Sequence, residues 1–191
     1  MGLQLNLGCG RSPLAGWVNV DVAALPGIDV VADLDACKTT PLPFADGTVS
    51  RMQMLHVLEH IGDMLSLMQE LHRIAEPGAK LLVRGPYGAN DDAWEDPTHK
   101  QRLFVNSFTY FAQPTYWRAD YGYRGDWETE KITLTMRRSE NEGLPTQEVV
   151  RKVQQLRNVV VEMIVELVAV KPIRLTDRAL MRATPITITL V

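Results

Sequence analysis

The sequence predicts an α/β fold, with a mostly parallel sheet of about seven strands and helices on both faces. Short apolar runs alternate with turn residues in the first half, and a helical pattern separates two of these runs. The C-terminal half instead contains segments of alternating polarity, which favour antiparallel strands. With 191 residues, of which 46% are hydrophobic and 23% charged, the chain is expected to form one globular domain over 1–191.

The first half supplies the parallel strands. Apolar runs at 3–7, 17–22, 28–32, 51–55 and 80–84 each have the length and composition of a short buried strand. A helix should separate the last two, because Asp63 is a good N-cap and apolar residues follow it at spacings of three and four. The segment Glu76-Pro77-Gly78 should end this helix, since proline cannot continue it.

The first crossover is unusually short. About nine residues separate the first two strands, near or below the usual minimum for such a connection, so one face of the sheet should lack part of its cover. Residues 175–191 or a second copy of the chain, in a homodimer, are expected to cover that face.

The second half is predicted to contain further strands and one helix. Residues 128–137 alternate as a half-exposed strand does, and Thr146 is the expected N-cap of a helix that continues to residue 157. Residues 159–170 fit either an extension of this helix or a strand, and a strand from about Glu162 is favoured. Alternation at 186–190 predicts a last short strand. The aromatic residues concentrated in 108–127 are interpreted mainly as a small core beneath a lid.

Composition excludes several partners. The net charge is −3 and no basic run occurs, so nucleic acid is not expected. Cys9 and Cys37 are too few for a disulfide scaffold, which favours a reducing compartment and a cytoplasmic location. No apolar stretch reaches the roughly 18 residues that a membrane span needs, so no membrane partner is expected.

A glycine loop follows the first strand. In Gly8-Cys9-Gly10 the two glycines let the backbone approach a ligand closely. Pro13 stands where a dinucleotide fingerprint needs a small residue, which argues against NAD. Asp21 ends the second strand, where a carboxylate can accept both hydroxyls of a ribose; the alternative is that it caps the loop 22–27.

Six motifs occur in order within residues 3–112. They are Leu5-Asn6-Leu7-Gly8-Cys9-Gly10, Gly16-Trp17-Val18-Asn19-Val20-Asp21, Ala32-Asp33-Leu34, Leu42-Pro43-Phe44-Ala45-Asp46-Gly47, His56-Val57-Leu58-Glu59-His60 and His72-Arg73-Ile74-Ala75-Glu76-Pro77-Gly78. In this combination the chain resembles the class I S-adenosylmethionine-dependent methyltransferases of type 11. The resemblance implies a Rossmann-like fold, S-adenosylmethionine as cofactor and methyltransferase activity.

The resemblance also implies roles for individual residues. The glycines should border the methionine part of the cofactor, Asp21 should bind its ribose, and Asp33 and Leu34 should flank the adenine. Asn6 stands where the family commonly has aspartate, which changes the polar network near the cofactor. The cofactor-binding residues expected are Asn6, Gly8, Cys9, Gly10, Asp21, Asp33, Leu34 and His56.

His56-x-x-Glu59-His60 has two interpretations. Its letters match an inverted zinc-protease motif, which would need both histidines on one face of a helix. In the second interpretation, which is favoured, His56 ends a parallel strand and lines the methyl-transfer site, while Glu59 and His60 begin the next helix. No metal ligand is predicted, and a zinc hydrolase remains a remote alternative.

The loop after the fifth strand contains Asp96-Pro97-Thr98-His99. His99, with Asp96 as its partner, is a candidate general base for an oxygen nucleophile, although a turn with a solvated histidine would have the same sequence. The segment also resembles a subset of small methyltransferases linked to sugar modification. The resulting hypothesis is O-methylation of a small hydroxylated molecule or saccharide, with catalytic candidates His99, Asp96 and His56. The alternative is a non-catalytic module that only binds S-adenosylmethionine.

Overall fold

The computed structural model describes residues 2–191 and contains one eight-stranded sheet, with the order β3-β2-β1-β4-β5-β7-β6-β8. The strands are β1 (Leu3–Leu7), β2 (Val18–Asp21), β3 (Val30–Val31), β4 (Val49–Leu55), β5 (Ala75–Pro86), β6 (Trp127–Met136), β7 (Val160–Ala169) and β8 (Ile186–Leu190). Strands β1 to β5 pair in parallel, β7 is antiparallel to both β5 and β6, and β8 is parallel to β6. This confirms a mostly parallel sheet with antiparallel pairing toward the C-terminus.

Four α-helices lie between the strands: α1 (Met64–Ile74), α2 (Asp92–Glu95), α3 (Arg138–Asn141) and α4 (Thr146–Gln155). Asp63 is the N-cap of α1, as predicted, and its carboxylate accepts the backbone N–H of Ser66 at 3.0 Å. The helix ends earlier than predicted, since β5 begins at Ala75 and includes Pro77. The N-cap of α4 is Pro145, so Thr146 is its first helical residue rather than its cap.

Only one face of the sheet is fully covered. Leu7, Met54, Val83 and Val165 lie side by side in the paired strands and are buried, and α1 packs its own buried Leu71 into the same core. The opposite face of the sheet presents polar side chains to solvent. It presents side chains such as Arg51, Lys80 and Lys131, which are exposed, and Glu166, which is half-buried.

The missing cover follows from the crossovers. Right-handed connections from β1 to β2 and from β2 to β3 lie on the face opposite the connection that contains α1. Both are formed by turns, so the shortening predicted for the first crossover extends to the second. Trp17 supplies some cover there, with the Arg51 guanidinium 5.7 Å from its ring centre.

The C-terminal residues do not cover this face. Residues 186–190 form β8, which lengthens the sheet beside β6, so the predicted role of 175–191 is wrong because the segment completes an edge instead. The aromatic segment packs into the main core: Phe108, Phe111 and Trp127 are buried, and the Trp127 indole donates to the Met68 carbonyl at 2.9 Å. Within residues 2–191 no helix is long and apolar enough to cross a membrane.

Candidate active site

The glycine loop leaves β1 through a tight turn. Gly8 has a φ of +62° and donates its N–H to the Val20 carbonyl at 2.8 Å, which ties the loop to β2. A Cβ at Gly8 would lie 2.6 Å from a methyl carbon of Val57, so only glycine fits there. Asp21 fixes the far side of the loop, because its carboxylate accepts the Gly10 N–H at 2.7 Å.

A cavity of about 380 Å³ opens beside this loop. Five of the predicted cofactor residues line it, and they are Gly8, Asp21, Asp33, Leu34 and His56. Each carboxylate is held in place by a backbone N–H: Asp21 accepts from Ala23 at 2.9 Å and Asp33 accepts from Asp35 at 2.9 Å. The volume of this cavity is in the range of small-molecule sites. Its lining by Gly8 and by the carboxylates of Asp21 and Asp33 fits S-adenosylmethionine.

The other predicted cofactor residues, Asn6, Cys9 and Gly10, do not line this cavity. The amide of buried Asn6 donates to Asn19 Oδ1 at 3.0 Å and to the Ser12 carbonyl at 3.1 Å, and it accepts from Gln53 at 2.9 Å. Asn6 therefore holds the glycine loop in place through its hydrogen bonds to Ser12 and Asn19. Burial raises the pKa of the Cys9 thiol, with the nearby Asp21 carboxylate adding to the effect, which keeps this thiol protonated.

His56 stands between two cavities. It lines the cavity beside the glycine loop and also a second cavity of about 690 Å³, whose walls include Arg84, His99, Thr133 and Glu162. The residue has a φ of +56° directly after β4, a conformation uncommon for histidine. Its Nε2 is 2.8 Å from Glu162 Oε1, and the same carboxylate pairs with Arg84 at 2.7 Å. These contacts fix the imidazole at the boundary of both cavities.

The zinc-hydrolase interpretation of His56-x-x-Glu59-His60 is wrong. It needs a helix that places both histidines on one face, whereas His56 ends a strand and Leu58–His60 form a single 3₁₀ turn. The predicted start of the helix at Glu59 is also wrong, since α1 begins at Met64.

The loop after β5 folds back onto this turn. The backbone N–H groups of Lys100 and Gln101 both donate to the Glu59 carbonyl, at 2.8 and 3.0 Å. This pairing brings His99 against His60, with ring centres 4.7 Å apart. Asp96 does not hold His99 by a hydrogen bond, because Asp96 Oδ2 is 3.8 Å from His99 Nε2.

Glu59 is the residue of this site that sequence reasoning missed. Its side chain is 1% exposed and lies beside His56, with Oε1 3.4 Å from His56 Nδ1. The spacing of His56-x-x-Glu59-His60 was a usable signal, because it contains three chemically active side chains within five residues. In the structure, the loop 96–101 brings His99 close to Glu59 and His60.

Comparison with known proteins finds a family that matches the N-terminal part of the chain. The family model of the methyltransferase domain matches residues 5–83, which span the glycine loop, Asp21, Asp33 and His56. A S-adenosylmethionine-dependent methyltransferase from Archaeoglobus fulgidus is similar in structure, with a TM-score of 0.61, 14% identity, and coverage of 88% of this chain and 86% of that one.

Two further solved structures have the same fold. One is a S-adenosylmethionine-dependent methyltransferase from Mesorhizobium loti, at a TM-score of 0.51 and 14% identity, covering 87% of this chain and 90% of that one. The other is a chain from the complex between the Trm112 methyltransferase activator and a methyltransferase of Haloferax volcanii. It has a TM-score of 0.52 and 13% identity, over 88% of this chain and 83% of that one.

The chain therefore has a Rossmann-like fold, and its residues 5–83 match the methyltransferase-domain family. This match supports S-adenosylmethionine-dependent methyltransferase activity, with S-adenosylmethionine as the cofactor.

Proposed function

We propose that this protein is an S-adenosylmethionine-dependent methyltransferase that acts on a hydroxyl oxygen of a small molecule or saccharide. The observation that carries the proposal is the position of His56, which lines the cofactor cavity and the second cavity at once. A group transferred between the two cavities must pass this side chain. The second cavity is therefore the acceptor site, and its walls carry polar groups that suit hydroxyls, including Arg84, Thr133 and Thr135.

The residues present can support such a transfer. S-adenosylmethionine, when bound, supplies a methyl group on a positively charged sulfur. As the acceptor oxygen forms its bond to the methyl carbon, the carbon–sulfur bond breaks and the hydroxyl proton must leave. The imidazoles of His56 and His99 both line the acceptor cavity, and either can accept that proton. The remaining rate enhancement comes from positioning, because the two reactants are held in adjoining cavities.

The position of the transferred methyl group tests the proposal. The protein is incubated with S-adenosylmethionine bearing a deuterated methyl group and with a panel of monosaccharides, polyols and phenols, alongside amines and thiols of similar size. We expect formation of S-adenosylhomocysteine and a label attached to oxygen. A label on nitrogen or sulfur would contradict the proposal. Cofactor binding with no turnover on any acceptor would favour the non-catalytic binding module.

Variants at the histidines test the catalytic roles. His99→Ala and His56→Ala should each lower turnover by about 100- to 10,000-fold if the residue takes the proton. Asp96→Asn should have a smaller effect, because Asp96 lies 3.8 Å from His99 and makes no hydrogen bond to it. Cofactor affinity of His99→Ala, measured by calorimetry, should stay at the parent value because His99 lies outside the cofactor cavity. Full turnover in both histidine variants would remove them from catalysis.

A further inference from the structure

We propose that Glu59, His60 and His99 form a binding site for one divalent transition-metal cation. Each of the three side chains offers a ligand atom, and these atoms all lie within 4.8 Å of one another. They come from two separate segments, the 3₁₀ turn after β4 and the loop after β5. The backbone hydrogen bonds from Lys100 and Gln101 to Glu59 hold these segments together.

The first argument is the environment of Glu59. The side chain is 1% exposed, and neither carboxylate oxygen has a hydrogen-bond partner anywhere in residues 2–191. His56 Nδ1 approaches Oε1 at 3.4 Å but lacks the alignment of a hydrogen bond. Burying an ionised carboxylate without a partner is costly, so this group needs a cation or a proton beside it.

The second argument is the tautomer of His60. The Thr98 hydroxyl donates its proton to Asp96 Oδ1 at 2.6 Å, so it can only accept from His60 Nδ1, which is 3.0 Å away. His60 therefore carries its proton on Nδ1, and Nε2 keeps a free lone pair. Metal-binding histidines are held in the same way, with the non-ligating nitrogen donating to an oxygen.

His99 supplies the third ligand. Its Nδ1 is buried and has no hydrogen-bond partner in the described part of the chain, while its Nε2 lies on the side of Asp96. A neutral His99 with its proton on Nε2 would leave the Nδ1 lone pair free for a cation. One nitrogen of each imidazole and one carboxylate oxygen lie within 4.8 Å of one another, as a shared cation requires.

The ligand chemistry selects the class of cation. Two imidazoles with one carboxylate suit zinc and other transition metals, whereas magnesium and calcium prefer oxygen ligands. Three protein ligands also leave a coordination position open. His99 lines the acceptor cavity and His60 lines the cofactor cavity, so the cation would lie beside both.

Cobalt binding tests the site without any need for activity. Full-length metal-free protein is titrated with Co²⁺, whose visible spectrum reports its ligands, and then with Zn²⁺ in competition. We expect one Co²⁺ per chain, with the spectrum of nitrogen and oxygen ligands and no thiolate band from either cysteine. Glu59→Gln and His60→Gln should each weaken binding by at least about 100-fold. Thr98→Val, which removes the hydroxyl that holds His60, should weaken it about 10- to 100-fold.

His72→Gln is the matched control, because His72 lies outside the cluster and its Nε2 binds the Val170 carbonyl instead. Its Co²⁺ affinity should equal that of the parent. Circular dichroism checks folding, and His60→Gln decides the question if Glu59→Gln does not fold. Absence of saturable Co²⁺ binding by the folded parent, or binding that survives both ligand variants, would overturn the site. Because these titrations contain neither cofactor nor acceptor, their outcome is independent of whether oxygen is the methylated atom.

Discussion

Replacing Gly8 by alanine should destabilise the protein far more than the same change at Gly10. Both residues have a positive φ, +62° and +52°, so an added Cβ costs about 1–2 kcal/mol at either position. At Gly8 the Cβ would also lie 2.6 and 2.8 Å from the two methyl carbons of Val57, whereas nothing lies within 4 Å of a Cβ at Gly10. Overpacking a core adds about 1–3 kcal/mol. We therefore expect a loss of about 2–5 kcal/mol for Gly8→Ala and of about 1–2 kcal/mol for Gly10→Ala.

Urea unfolding measures both losses, and thermal unfolding should show them as a decrease in Tm of about 2–4 °C per kcal/mol for a chain of this size. The double variant Gly8→Ala/Val57→Ala separates the two causes. Removing the valine methyls should recover the contact cost, which appears as a coupling energy of about 1–3 kcal/mol, and leave the backbone cost in place. Equal losses in the two glycine variants, or strictly additive effects in the double variant, would refute this reasoning.

Three further predictions concern single side chains. Asp21→Asn should raise the Kd for S-adenosylhomocysteine about 10- to 100-fold, since a hydrogen bond to a charged group is worth roughly 1.5–3 kcal/mol. Asp29→Asn is the calorimetric control, because Asp29 binds the Asn19 N–H at 2.7 Å and does not line the cavity; unchanged Kd for Asp21→Asn would remove Asp21 from the site. Asp63→Ala should cost about 0.5–2 kcal/mol in urea unfolding through loss of the α1 cap, and a stability equal to the parent would show that the cap contributes nothing. Burial lowers the pKa of His72 below its ordinary value of 6.5. As the pH falls below 6.5, His72 of the unfolded chain takes up a proton before His72 of the folded chain does, so the free energy of unfolding decreases. His72→Gln should reduce the dependence of unfolding free energy on pH below 6.5, and an unchanged slope would contradict the assignment.

Elements with local signals could be predicted closely from the sequence. The start of α1 follows from Asp63 and the apolar spacing after it, and β1 has the bounds that its apolar run predicts. The start of β5 could not be predicted in the same way. Pro77 and Gly78 are typical turn residues, but Ala75 pairs with Val49 of β4, and this long-range contact extends the strand past them.

That several predicted residues line one cavity could be expected for the same reason. Gly8 and Asp21 are set by the strands that carry them, and both line the cavity. The approach of His99 to Glu59 could not be predicted, because the two residues are distant in sequence. Their approach depends on backbone hydrogen bonds from the loop 96–101, and any residue type can make such bonds.

The one-sided core has a consequence for how this sequence tolerates mutation. Along β5, Leu81 and Val83 face the covered side, while Lys80 and Arg84 are exposed on the other. Side chains alternate strictly along a strand, so selective pressure from packing falls on every second position. A saturation-mutagenesis library scored for folding should therefore show a two-residue period in β5 and β7. The tolerant positions offer a broad sheet surface for grafted side chains, at little cost in stability.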